Sequence, residues 1–177
     1  MHFEKKISSE EIFCGKVFRV TKDSVLLENN SVASREIVHH RGGVCVAALD
    51  ENQNLIFVRQ FRYALGEELL ELPAGKIETN ENPAVCGLRE LQEETGFSCN
   101  KFDLLATLYP TCGYSSEIIY VYLAQDLVPS AQHLDDDEFL SVEKIPLSSA
   151  VQMVLENKIP DAKSQIAILK LAALLHI

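Results

Sequence analysis

The chain has 177 residues, 47% of them hydrophobic, with 26 Asp and Glu against 16 Lys and Arg for a formal net charge of −10. That is enough chain and enough apolar side chain for one substantial core. The acidic balance excludes a protein that wraps a nucleic-acid backbone, which needs clustered cations, so any anionic small molecule must be met by local arginines or by metal ions.

From the N-terminus, Val17 to His40 alternates around Asn29-Asn30 and reads as a hairpin, preceded by a charged segment that fits neither a secretory signal nor an anchor. Val44 to Leu49 and Leu55 to Arg59 are apolar, β-rich runs separated by Asp50-Glu51-Asn52-Gln53, a second hairpin signal. Pro73-Ala74-Gly75 then breaks the pattern after Leu69 to Leu72. A helix is predicted next, over Pro83 to Thr95, with Asn82 as its N-cap, Pro83 at its first position and Gly96 as its left-handed stop. Strands are predicted over Phe102 to Leu108, Ile118 to Leu123 and Phe139 to Val142, and helices over Ser148 to Asn157 and Asp161 to Leu175. The order implies a mixed α+β or α/β sandwich, with residues 1–43 as a β-rich segment and 44–177 as the main domain. No apolar run reaches the roughly 20 residues of a membrane span. Five scattered cysteines without zinc-type spacing fit a reduced, cytoplasmic protein.

The predicted helix over Pro83 to Thr95 carries the chemistry. Ala84, Val85, Leu88 and Leu91 share one face, expected to pack on the sheet, and Glu90, Glu93 and Glu94 gather on another, expected to project outward. Clustered carboxylates repel one another, and a hard divalent cation such as magnesium relieves that repulsion. Arg89, four residues before Glu93, can pair with it. Taken alone, the glutamates read by default as the solvated face of an amphipathic helix, because such charge runs are common.

The surrounding residues decide otherwise. From Gly75 the chain reads GKIETNENPAVCGLRELQEETGF, in which Gly75, Glu81, Arg89, Glu90, Leu91, Glu93, Glu94, Gly96 and Phe97 fall at the spacings of the Nudix box. The sequence resembles a Nudix hydrolase, most like the ADP-ribose pyrophosphatase subgroup. The resemblance implies an α/β/α sandwich with a mixed β-sheet and an N-terminal β-hairpin, and Mg2+-dependent hydrolysis of a diphosphate bond, with Mn2+ as a substitute metal. By position it makes Glu90, Glu94 and the Ala74 carbonyl metal ligands, Glu93 an auxiliary catalytic residue, and Glu81 and Arg89 braces between loop and helix. Arg59 and Arg62 of Val58-Arg59-Gln60-Phe61-Arg62 resemble the subgroup's diphosphate contacts, the alternative being solvated arginines at a strand end. Glu71 is implied to accept hydrogen bonds from the nucleotide, and Glu117, in the loop Tyr109 to Glu117, to meet the terminal ribose.

In that loop Cys112 replaces a usual proline. The general base is expected at Glu138, at the end of the run Asp135-Asp136-Asp137-Glu138, with Glu117 or Glu93 next in line and a merely solubilising acidic loop as the alternative. His39-His40 reads as structural or surface, and the stripe Ile166 to Leu175 as core or interface. The subgroup's habit implies a homodimer with the N-terminal segment in its interface, and a small nucleotide diphosphate as the partner. ADP-ribose leads, giving AMP and ribose 5-phosphate. Another nucleotide sugar, an FAD-like dinucleotide, or a sensor that binds without cleaving are the alternatives.

Overall fold

A computed structural model describes residues 2–134 and 138–177. The chain divides into two units, the first made of residues 1–42 with Tyr109–Ile118, the second of Gly43–Leu108 with Ile119–Ile177. The expected division fell one residue later and did not assign the excursion at Tyr109–Ile118 to the first unit.

The first unit is a three-stranded antiparallel sheet of β1 (Lys5–Cys14), β2 (Phe18–Leu26) and β3 (Val32–His40) in sequential order. The β2–β3 hairpin turns at the expected asparagines, with Asn30 at φ 62° and Asn29 accepting from the Ser31 amide. Strand β1 extends the predicted hairpin to a third strand. All ten of its residues are exposed, so it carries no inside-outside alternation to read.

The second unit holds β4 (Gly43–Ala48), β5 (Asn54–Arg62), β6 (Glu67–Glu71), β7 (Ala74–Lys76), α1 (Pro83–Thr95), β8 (Phe97–Leu108), β9 (Ile119–Pro129), β10 (Leu140–Pro146), α2 (Leu147–Leu155) and α3 (Ala162–Leu175). A mixed sheet runs β7-β4-β9-β8, with β4 and β9 parallel and the other pairs antiparallel, and β10-β5-β6 form a second, antiparallel sheet. Strand β4 is covered on both faces, which is why it reads as an unbroken apolar run. Its alternate residues serve opposite cores. Cys45 and Ala47 join Leu72, Phe57, Leu147, Ile168 and Leu171 on the α2–α3 side, while Val46 and Ala48 join Leu91 of α1 on the other. This is the expected α/β/α sandwich. None of the described helices is long and apolar enough to cross a membrane.

The ends of α1 and α3 are set locally. Asn82 accepts from the Ala84 amide, Pro83 opens α1, and Gly96 closes it at φ 70°, a conformation with little penalty only for glycine. Asp161 caps α3 by accepting from the Ser164 amide at 3.0 Å, and the buried Ser164 hydroxyl donates to that carboxylate at 2.6 Å while accepting from the Leu72 amide at 2.8 Å. The start of α3 is thereby fixed to the strand end that leads into Pro73-Ala74-Gly75.

The faces of α1 differ from expectation. Val85 and Leu88 are exposed, and the buried positions are Cys86, Gly87, Glu90, Leu91, Glu94 and Thr95. Two of the three predicted outward carboxylates therefore point inward. Hydrophobic patterning assigns glutamate to the solvent side, and here it fails because the buried face carries charge.

Candidate active site

Glu94 is 2% exposed and Glu90 is 8% exposed, both on the inner face of α1. Glu94 Oε2 accepts from the Ala74 amide at 3.0 Å, which ties the helix to the loop the sequence singled out. The Glu90 carboxylate lies against Gly75 so closely that a Cβ there would sit 1.9 Å from it. Any side chain at that position would displace the carboxylate, whereas the backbone conformation there makes no demand for glycine. Arg89 joins the remaining acids: Nε donates to Glu81 Oε1 at 2.9 Å, and Nη1 lies 2.8 Å from both Glu90 Oε1 and Glu93 Oε2. Glu81 also accepts from the Glu78 amide, so the loop before α1 closes on itself around Arg89.

Electrostatics sharpen the picture. Burial pushes the Glu94 carboxyl up to about 8, with the Ala74 amide opposing and the charges of Glu90 and Glu138 adding to the rise. Burial likewise pushes Glu90 up to about 7, with Arg89 opposing and Glu93 and Glu138 adding. Glu81 is held down at about 2, chiefly by its hydrogen bonds from Arg89. Glu138, the expected base, thus lies within electrostatic reach of both buried carboxylates. Asp135, Asp136 and Asp137 fall outside the described residues.

When ionised, Glu81, Glu90, Glu93 and Glu94 outnumber Arg89 by three charges. Such a deficit of positive charge suits a hard divalent cation. Among the described residues, no three His, Cys, Asp or Glu side chains form a complete metal site by themselves. Magnesium needs none, because it keeps several waters and takes one or two carboxylates together with substrate phosphates. The donor set of Glu90, Glu94 and nearby backbone fits that requirement.

The two arginines are both paired. Arg62 meets Glu71 through two hydrogen bonds, Nε to Oε1 at 2.6 Å and Nη2 to Oε2 at 2.8 Å, and its charge acts on Glu94. Arg59 instead donates to Glu143 on β10 at 2.6 Å. Glu71 is buried, with both oxygens engaged by Arg62 and Lys163, so its observed partners are cations rather than an open ligand position. Glu117 belongs to the first unit, where its carboxylate lies 3.4 Å from His40 Nδ1. His39 Nε2 lies 2.9 Å from Thr21 Oγ1 in the same unit.

The Nudix domain model matches residues 39–167. The chain belongs to the Nudix hydrolase family. It is 40% identical over 167 residues to the methanol dehydrogenase activator of Bacillus methanolicus, and equally to the ADP-ribose pyrophosphatase of Bacillus subtilis strain 168, with 93% of this chain and 90% of each relative covered. A solved structure of an ADP compounds hydrolase superposes with a TM-score of 0.86 at 22% identity, over 98% of this chain and 94% of that one, a likeness of fold.

In this Nudix fold, residues that motif reading did not mark secure the end of α1. Gln132 Nε2 donates to the Glu94 carbonyl at 2.6 Å, the His133 amide to the Glu93 carbonyl at 3.1 Å, and the Ser130 amide to the Gly96 carbonyl at 2.7 Å. These bonds satisfy the C-terminal end of α1 and bring the chain past the helix on its way to Glu138. A glutamine in a loop carries no sequence signal for such a contact.

The raised carboxyls have a consequence for stability. A carboxyl whose pKa is higher folded than unfolded binds extra protons in the native state, so stability falls as pH rises from the ordinary 4.5 through the folded values of about 7 and about 8. The Glu81 contribution has the opposite sign and is lost only as pH falls below 4.5 toward about 2, outside that window. In EDTA the melting temperature should therefore drop between pH 5 and pH 8, measured by calorimetry, and saturating magnesium should flatten the drop. A metal-free profile that rises over this range would contradict the burial of ionised Glu90 and Glu94.

Proposed function

We propose that the protein hydrolyses the diphosphate bond of ADP-ribose with a divalent metal, Mg2+ or in its place Mn2+, yielding AMP and ribose 5-phosphate. The observation that carries the reading is the pair of buried carboxylates, Glu90 and Glu94, held beside the Gly75 cradle with too little positive charge to balance them. The choice of ADP-ribose rests on the pyrophosphatase relative in Bacillus subtilis.

In this reading Glu90 and Glu94, with the Ala74 carbonyl, hold the cation and Glu93 supports it through water or substrate. A divalent cation supplies charge neutralisation at the diphosphate and activation of water. Arg62 orients the phosphates with its planar fork, and Arg59 adds a second guanidinium on the same strand. Glu71 acts indirectly, by steering Arg62. Glu138 takes the proton of the attacking water as that oxygen bonds to phosphorus and the bridging oxygen departs with the other product. Retention of Glu90, Glu93 and Glu94 together favours turnover over simple sensing.

We also assign a homodimer interface to the first unit, supported by the exposure of Phe3, Ile7, Ile12 and Phe13. Light scattering of the intact chain reads its mass directly, and a monomer at micromolar concentration would remove that assignment.

The function is tested by incubating ADP-ribose, nucleotide sugars and FAD with protein and magnesium, and identifying products by chromatography. AMP and ribose 5-phosphate formed fastest from ADP-ribose support the reading. Faster cleavage of a nucleotide sugar or of FAD transfers it to that compound, and no cleavage of any of them refutes it.

A further inference from the structure

Where β6 meets the first turn of α3, part-buried charges gather around a buried carboxylate. Glu71 is 2% exposed, and besides its two bonds from Arg62 its Oε2 accepts from Lys163 Nζ. Lys163 Nζ also lies 2.9 Å from Asp161 Oδ1. The helix start fixes this arrangement, because Asp161 caps α3 and Lys163 follows two residues later in its first turn. Burial works against the ammonium, but the Asp161 and Glu71 carboxylates more than reverse it and keep Lys163 charged.

The group is balanced, with Glu71 and Asp161 against Arg62 and Lys163. Without the ammonium, two carboxylates would confront one guanidinium, and Arg62 would be neutralised where it stands. With it, Glu71 still orients Arg62 through two hydrogen bonds while its own charge is met from the α3 side. Arg62 then keeps positive charge to offer outward, and Glu94 already feels that charge.

We propose that Lys163 is a positioning residue for the diphosphate: by neutralising Glu71 from α3, it holds the Arg62 guanidinium in place with its charge available to the anion. The inference rests on the diphosphate reading above, in which Arg62 meets the phosphates. A purely structural Lys163 would stabilise the fold and leave substrate affinity alone, so the two roles separate in KM.

The test compares steady-state hydrolysis of ADP-ribose by wild type, Lys163→Met, Lys163→Gln and Lys163→Arg, with calorimetric affinity for the non-hydrolysable α,β-methylene analogue as an independent readout. Lys163→Met should raise KM and the analogue Kd about tenfold or more with kcat within about threefold, the scale of one lost charge-assisted hydrogen bond. Lys163→Gln keeps a donor but no charge and should shift both constants in the same direction, which preserves the test if the methionine variant does not fold. Lys163→Arg should stay within about threefold of wild type, since it restores the charge. In an Arg62→Met background, Lys163→Gln should change KM no further. Active wild type whose KM and analogue affinity ignore the loss of charge at Lys163, or an undiminished effect without Arg62, would overturn the inference and leave the proposed function standing. Wild type that cleaves no nucleoside diphosphate derivative would overturn both.

Discussion

Glu94→Gln should lower kcat by roughly 10² to 10³-fold, the scale on which one preorganised charged group registers in catalysis, while raising the melting temperature at pH 8. The two effects share a cause. Glu94 is nearly inaccessible to solvent, and burial raises its carboxyl to about 8, so the folded protein tolerates the ionised form poorly. The amide is of similar size and uncharged, and its oxygen can still accept from the Ala74 amide, so the fold loses a liability and keeps a hydrogen bond. The site loses a ligand that must be anionic to attract a cation. Sequence patterning implied an outward-facing side chain, and its burial makes stabilisation the expected result. Parallel kinetics and calorimetry check it, and lower stability together with normal kcat would contradict both halves.

Gly75→Ala should reduce kcat roughly 10²-fold, the cost attached to displacing a catalytic group by about 1 Å. A methyl at this position meets Glu90 Cδ and Oε1 at 1.9 Å, so one of them must move. The carboxylate is the far end of a flexible side chain and gives way before the strand does, at the expense of its ion pair with Arg89. The stability cost should accordingly be near 1 kcal/mol, the low end of the range of about 1–3 kcal/mol for overpacking. Melting temperature and kcat measured on the same preparation separate a displaced ligand from a damaged fold. Wild-type turnover in this variant would show that the position of the Glu90 carboxylate is immaterial.

What could be read from the sequence and what could not divide along a physical line. Helix α1 was legible to the residue because its limits are set by local chemistry, the Asn82 cap with Pro83 and the left-handed Gly96. The inward turn of Glu90 and Glu94 was not, because their burial depends on Gly75 and the Ala74 amide across the site. Strand β1 escaped because its ten residues are all exposed and leave no periodic trace. Lys163, Glu143 and Gln132 escaped for a third reason. Their partners Glu71, Arg59 and Glu94 lie 92, 84 and 38 residues away, and no local pattern records a pairing made by the tertiary fold.

The strongest check on the account is the anomalous difference density of a crystal soaked with Mn2+ and α,β-methylene ADP-ribose. Manganese is expected in direct contact with carboxylate oxygens of both Glu90 and Glu94, beside the analogue's phosphates. Manganese bound elsewhere, with those two carboxylates bare and the nucleotide seated away from Gly75, would contradict it.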